Sequence, residues 1–375
     1  MTTRLLVTCP KAIAPILAGE IRALGLPVKR ELTAGVESEG TLRDCMKLNL
    51  WLRTGHRVLY LVSDFMAPNA DALYAEVLRI PWEEHIAANG YVSIETSVEN
   101  PTIRDPRYAG LKCKDAIVDR IKEKAGRRPD SGPLTDRTVL FLYWKGDRCS
   151  LYFDTSGEPL SRRGYRKIPL KAPMQETLAA AVVLETGWDG DGHFVNPMCG
   201  SGTLAIEAAL VGTGRAPGLL RDNFGFMHIL GFDAAAWKKL RDEAKAAPDK
   251  KPKGRIIATD ISAEAVEAAK KNAAAARVDH LIESGVCDFA ETPVPDGPGV
   301  VVFNPEYGER LGETKSLIPV YRRIGDFLKR RCQGYRGYVF TGNRELWNKV
   351  GLKPAHARTF FNSNIECRLL EFEVY

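Results

Sequence analysis

The sequence predicts an α/β chain whose C-terminal half is a doubly wound, parallel, Rossmann-like sheet and whose N-terminal half is a smaller α+β region. Three observations carry this. From residue 174 onward, strand and helix patterns alternate, as they do in a parallel sheet flanked by helices. Before residue 156 they do not alternate strictly, and they include a hairpin. Between the two, residues 157–173 (GEPLSRRGYRKIPLKAP) gather proline, glycine and basic residues without periodicity, which marks an interdomain connection. A chain of 375 residues also exceeds what one hydrophobic core supports.

In the first half, residues 4–9 (RLLVTC) read as a strand, 11–25 as an amphipathic helix closed by Gly25, 35–39 as a strand and 41–50 as a helix opening on Thr41. Strand 57–62, helix 70–79, strand 91–96 and helix 111–124 come next, then strands 138–144 and 149–154 turning on Lys145-Gly146-Asp147. In the second half, helices at 174–186, 202–211, 262–275 and 316–330 interleave with strands at 193–196, 255–259, 282–287, 299–303 and 336–341. A last strand at 365–374 (IECRLLEFEV) is expected at the sheet edge. Segments 212–254 and 289–299 fit neither pattern and are expected as insertions or loops.

Composition narrows the function classes. At 45% hydrophobic and 27% charged residues the chain has the make-up of an ordinary globular protein. Its net charge of +6 permits a polyanionic partner without demanding one. The eight cysteines include no C-x-x-C pair and no zinc-ligand spacing, so reduced thiols and no metal are expected. The N-terminus lacks the continuous apolar stretch of an export signal, and runs such as Leu178 to Leu184 fall far short of the ~20 residues that span a bilayer. The expectation is a cytoplasmic protein without membrane contact.

Four strand ends carry the chemistry. His193 to Leu204 (HFVNPMCGSGTL) runs from a strand through a Gly-rich turn into a helix. Gly200 and Gly202 let backbone approach a ligand, and the helix N-terminus offers N–H groups to a carboxylate or phosphate. A G-x-G turn alone is weak, because a tight structural turn needs the same glycines. Asp260 ends the next strand, where such sheets hold ribose hydroxyls, although a helix cap would also explain it. Asp288 closes a third strand and suits an adenine amino group, or is a surface acid. The apolar strand Val300-Val301-Val302-Phe303 then delivers Asn304-Pro305-Glu306-Tyr307. The lone pair of an exocyclic amine is delocalised into its ring. A site must therefore hold the N–H groups with acceptors and aim the lone pair at a sulfonium methyl. Asn304 and the Pro305 carbonyl suit that task, and Tyr307 can stack on a flipped base.

With these residues in place, the whole chain resembles the THUMP-domain class I RNA methyltransferases, closest to the guanine-N2 methyltransferase half of the bacterial bifunctional 23S ribosomal RNA enzyme. NPMCGSGTLAIEAAL resembles that family's cofactor loop, APGLLRDNFGF its insertion, NPEYGERLG its catalytic turn, and SRRGYR together with KAPMQETLAAA its link into the catalytic domain. The resemblance implies a ferredoxin-like region at 1–55, a THUMP RNA-binding domain at 56–156, a linker at 157–173 and a class I methyltransferase domain at 174–375. It implies S-adenosyl-L-methionine (AdoMet) as cofactor. Asn196, Pro197, Cys199, Gly200, Ser201, Gly202, Thr203, Asp260, Ile261, Asp288, Phe289 and Asn304 would line its site, with Asn304, Pro305, Glu306 and Tyr307 at the target base. One position departs from the family: Glu306 stands where the usual turn has a second proline. It would either accept hydrogen bonds from the guanine edge or pair on the surface with Arg310.

RNA, ribosomal RNA first, is the expected partner. Arg162, Arg163, Tyr165, Arg166 and Lys167 place four cationic groups around one aromatic ring, a combination that meets phosphates and stacks a base. The clusters around Arg127-Arg128 and Lys329-Arg330-Arg331 suit solvated faces equally well. Transfer RNA, adenine N6 and a noncatalytic assembly role are the alternatives.

Overall fold

The computed structural model describes residues 2–168, 170, 174–247, 250–307 and 313–374. Two compact units emerge: residues 1–9, 17–160 and 221–244 form the first, and 10–16, 161–220 and 245–375 the second.

The first unit is built on one eight-stranded sheet. Its elements are β1 (Thr3–Thr8), α1 (Ala14–Ala23), β2 (Val28–Leu32), β3 (Gly35–Gly40), α2 (Leu42–Trp51), β4 (Arg57–Met66), α3 (Ala70–Leu78), β5 (Tyr91–Glu99), α4 (Pro106–Ala125), β6 (Asp130–Ser131), β7 (Thr138–Lys145) and β8 (Arg148–Asp154). The strand order is β2-β3-β1-β4-β8-β7-β5-β6. The ferredoxin-like and THUMP segments thus share one sheet, joined where β4 pairs with both β1 and β8. Thr41 starts α2 with a capping box to Asp44, a device worth about 1 kcal/mol. Strand β2 (VKREL) escapes the sequence pattern because its middle residues are solvent-facing and charged, so no apolar face marks it.

The segment expected as a featureless insertion contains α7 (Ala234–Ala246) and contributes residues 221–244 to the first unit. Phe226 N–H donates to the Thr155 carbonyl at 3.0 Å, and the Thr138 hydroxyl to the His228 carbonyl at 3.0 Å. Phe224, Phe226 and Trp237 pack ring on ring, with Phe224 and Phe226 fully buried. That apolar payload explains why the segment folds instead of looping.

The second unit holds α5 (Glu176–Glu185), β9 (His193–Pro197), α6 (Thr203–Gly212), β10 (Ile256–Asp260), α8 (Ala263–Ala275), β11 (Ile282–Val286), β12 (Gly299–Phe303), α9 (Glu313–Arg331), β13 (Tyr335–Thr341), α10 (Arg344–Trp347), β14 (His356–Asn362) and β15 (Ile365–Glu373). Its seven strands run β11-β10-β9-β12-β13-β15-β14, parallel except where β15 pairs antiparallel with β13 and β14. Val300 to Phe303 is an unbroken apolar run because a central parallel strand is covered on both faces, and all four residues are buried. Consecutive strands fill the sheet outward from β9 on one side and from β12 on the other. The strand order therefore reverses between β9 and β12, the topological switch point at which open α/β sheets bind ligands beyond their strand ends.

Candidate functional site

Strand β9 ends at Asn196-Pro197, and the chain then takes left-handed φ at Met198 (57°), Gly200 (54°) and Gly202 (81°) before entering α6. For Met198 that conformation costs about 1–2 kcal/mol, a strain typical of functional turns. The strained loop is tied on every side. Cys199 N–H donates to the Thr259 carbonyl at 2.9 Å and Gly200 N–H to Asp260 Oδ2 at 2.9 Å, while Ser262 N–H takes Asp260 Oδ1 at 3.0 Å. Asn272 Nδ2 on α8 reaches the Ser201 carbonyl at 3.1 Å. Ser201 and Thr203 are buried, their hydroxyls 3.4 Å apart. Burial, then the neighbouring Asp260, pushes the Cys199 thiol up to about 12, so it stays protonated at neutral pH.

The two glycines differ in role. A Cβ on Gly200 would meet nothing within 4 Å, so that position opens onto space. A Cβ on Gly202 would come within 2.9 Å of the Ala269 Cβ, so Gly202 lets α8 pack against the turn. Asn196 is fully buried, and its Nδ2 bridges the switch point to the Val302 carbonyl at 2.8 Å. Its Oδ1 is buried without a partner, a desolvation cost of about 1–3 kcal/mol for any group left so.

Asp260 and Asp288 both stand at strand ends, as the sequence predicts. Ile261, directly after Asp260, is 72% exposed. Asp288 Oδ1 caps the next turn through Ala290 N–H at 2.9 Å and accepts from Arg323 on α9 at 2.7 Å. The Arg323 hydrogen bond holds the Asp288 carboxyl below the usual range. The same guanidinium lies 4.8 Å from the Phe289 ring centroid. Phe289 itself packs edge-on against Phe303 and Phe327 in the core.

At the end of β12, Asn304 is half-buried, Pro305 buried, Glu306 exposed and Tyr307 half-buried. The second half of this turn is anchored. The Tyr321 hydroxyl donates to the Glu306 carbonyl at 3.3 Å, Asn343 Nδ2 to the Tyr307 carbonyl at 3.1 Å and Asn362 Nδ2 to the Tyr307 hydroxyl at 2.8 Å. The Tyr307 ring lies where a Cβ on Gly342 would touch it at 3.1 Å. Among the described residues, no side chain or backbone group hydrogen-bonds the Asn304 amide or the Pro305 carbonyl. Arg310, the alternative partner for Glu306, lies outside the described residues.

The basic link is corrected by the structure. Arg163 and Tyr165, expected on the RNA face, are 2% and 1% exposed. Arg163 Nε and Nη2 donate to Glu207 of α6 at 2.7 and 3.1 Å, and the Tyr165 hydroxyl donates to the same carboxylate at 3.0 Å. A guanidinium is tolerated there because its charge is matched by a bidentate carboxylate. Arg166 is mostly buried too, bonding Glu176 at 3.0 Å and the Met174 carbonyl at 2.7 Å. Asn272 Oδ1 accepts from the Lys167 and Ile168 N–H groups at 2.8 and 3.1 Å. Among the described basic residues of the link, Arg162 and Lys167 are exposed. Glu207, Asn272, Arg323, Tyr321, Asn343 and Asn362 are supports that the motifs did not reveal.

Residues 163–371 match the family described as RMKL-like, methyltransferase domain. The chain belongs to this methyltransferase family. Residues 4–59 match an RlmL ferredoxin-like domain and 67–154 a THUMP domain. AdoMet, the cofactor expected from the Gly-rich turn and its acids, stands with membership of the methyltransferase family. A Syntrophotalea carbinolica protein named ribosomal RNA large subunit methyltransferase K/L is 38% identical over 98% of this chain and 53% of its own length. The chain spans about half the length of the curated relatives it matches. SMU.472, a methyltransferase-like protein solved in complex with SAH, aligns with a TM-score of 0.90 at 28% identity, covering 100% of this chain and 98% of that one. A Listeria monocytogenes structure, named as a predicted N6-adenine-specific DNA methylase, aligns with a TM-score of 0.88 at 31% identity, covering 100% and 97%. Among the described residues, no helix is long and apolar enough to cross a membrane.

Proposed function

We propose that this chain methylates the N2 amine of guanine in large-subunit ribosomal RNA, with AdoMet as the methyl donor. The observation that carries this reading is the division of the 304–307 turn: the Glu306 and Tyr307 carbonyls are pinned, while the Asn304 amide and Pro305 carbonyl have no described partner.

The residues fit the cofactor. The partnerless Asn196 Oδ1 is an acceptor for an ammonium group, and Gly200 leaves open space beside it. Asp260 retains lone pairs for ribose hydroxyls, exposed Ile261 offers an apolar wall to adenine, and Asp288 offers an acceptor to its amino group. Pro197, Cys199, Ser201, Thr203 and Phe289 contribute backbone and shape. The cofactor supplies an electrophilic methyl on a sulfonium. Asn304 Oδ1 and the Pro305 carbonyl accept the two N–H groups of the amine and aim its lone pair along the line of transfer. The positive charge that would develop on nitrogen as the methyl passes from sulfur, the S–C bond breaking to leave a neutral thioether, would lie against the same two oxygens, and the proton would leave through one of them to water. Losing one such preorganised group costs about 10²–10³ in kcat.

RNA as substrate is supported by the THUMP match and the excess of cations, and exposed Arg162 and Lys167 are the link residues that would meet phosphates. The name of the Listeria structure favours adenine N6 as a second reading. Incubating the purified chain with isotopically labelled AdoMet and large-subunit ribosomal RNA, then analysing nucleosides by mass spectrometry, separates the two. Label in N2-methylguanosine is expected; label in N6-methyladenosine, or in no nucleoside, rejects the proposal.

A further inference from the structure

Glu306 places a carboxylate directly after the Asn304-Pro305 pair. Its backbone is fixed. The carbonyl is turned to the Tyr321 hydroxyl, and Tyr321 is fully buried in the core, so the residue's inward side is occupied. The next residue is held at its carbonyl by Asn343 and at its hydroxyl by Asn362. The Glu306 side chain is exposed, and among the described residues no cation pairs with it. An anionic carboxylate one residue beyond the acceptor pair repels an approaching polyanion. A partner arriving with the substrate would offset that cost, and it would have to be a hydrogen-bond donor, because a carboxylate only accepts.

Purine edges differ at this point. In guanine, N1–H is a donor adjacent to the N2 amine; in adenine, N1 is a lone pair adjacent to the N6 amine. With the exocyclic amine held by Asn304 and Pro305, guanine offers N1–H on one side of the amine and the N3 lone pair on the other, and of the two only N1–H can pair with a carboxylate. We infer that Glu306 is a specificity-determining residue: its carboxylate accepts the N1–H of the target guanine and rejects adenine by setting a negative charge against the adenine N1 lone pair. The inference rests on the proposed guanine-N2 activity and adds the group that selects the base. The resulting charge-assisted hydrogen bond is of the strong kind, and a site built around a substrate N–H rejects analogues lacking it by about 10⁴-fold or more.

The test uses the full chain with in vitro transcribed large-subunit ribosomal RNA, scored for N2-methylguanosine and N6-methyladenosine. Wild type is expected to produce the first only. Glu306→Ala should lower kcat/KM for guanine on the order of 10²-fold with unchanged AdoMet affinity and an unchanged melting temperature, since the side chain is exposed. Once the methylated position is mapped, replacing that guanine by 2-aminopurine keeps the N2 amine but makes N1 an acceptor. Wild type should lose the activity, and Glu306→Gln, which can donate an N–H to N1, should recover part of it. A merely structural glutamate would not produce that crossover. Equal N2-methylguanosine formation by Glu306→Ala, or no recovery on 2-aminopurine by Glu306→Gln, overturns this role while leaving the proposed activity standing. N6-methyladenosine from wild type overturns both.

Discussion

The turn after β9 and the turn after β12 stand side by side at one switch point, yet they are built on opposite plans. The first concentrates strain in its backbone, with left-handed residues at 198, 200 and 202, and every tie that holds it comes from β10, α8 or its own chain. Over residues 304–307 the second has no left-handed residue; Glu306 and Tyr307 are pinned, while among the described residues the Asn304 side chain and the Pro305 carbonyl have no hydrogen-bond partner. A loop that wraps a flexible zwitterion needs shape, which backbone supplies. A turn that must grip a planar amine needs two free acceptors in fixed positions, and fixing the residues after them provides that.

The foundation of the first turn should be the costliest to break. Arg163→Ala leaves the buried Glu207 carboxyl of α6 without its guanidinium partner, and should destabilise the chain by about 3–5 kcal/mol, seen as a melting temperature lower by on the order of 10 °C. An unchanged melting curve would show that the pair carries no weight there. Asn304→Ala attacks the second turn alone. It should cut kcat by about 10²–10³, measured at saturating AdoMet. Gly202→Ala presses a Cβ against Ala269 at a left-handed φ, so a loss of about 1–3 kcal/mol is expected with weaker AdoMet binding, measured by denaturation and calorimetry.

The smallest effect concerns pH. Arg323 depresses the Asp288 pKa, so their pairing stabilises the fold fully above the ordinary aspartate value of about 3.9 and fades as pH falls through the lower folded value. Arg323→Ala should cost less than about 1 kcal/mol at neutral pH, and the two proteins should converge in acid. A difference that widened as pH fell would reverse the assignment.

Much of this was legible in residues. The alternating pattern from 174 onward, the run VVVF and the strand-end residues Asn196, Asp260, Asp288 and Asn304 are read directly from period and position, because a parallel sheet buries its apolar strands and displays the residues at their ends. Two edge strands, β2 and β14, were not legible, since VKREL and HARTF carry charged or polar residues on exposed faces. Helix α7 hid inside a segment bounded by glycine and proline, although AAAWKKLRDEAKA has strong helix-forming residues. The basic link misled most. SRRGYR has the composition of a nucleic-acid contact, and only its partner shows that Arg163 and Tyr165 turn inward. A signal was available: Glu207 is the lone acid in the apolar helix TLAIEAALVG, and a buried acid requires a buried donor. Asn272 in AEAVEAAKKNAAA is a similar mark, a poor helix former retained for its hydrogen bonds.

On the proposed function, the second turn delivers a methyl group to guanine N2 in RNA. The most direct test is nucleoside analysis of large-subunit ribosomal RNA from cells with and without this gene, complemented by wild type or by Asn304→Ala. Loss of one N2-methylguanosine, restored by wild type and not by Asn304→Ala, is the predicted result. An unchanged N2-methylguanosine content without the gene, or full restoration by Asn304→Ala, would contradict it.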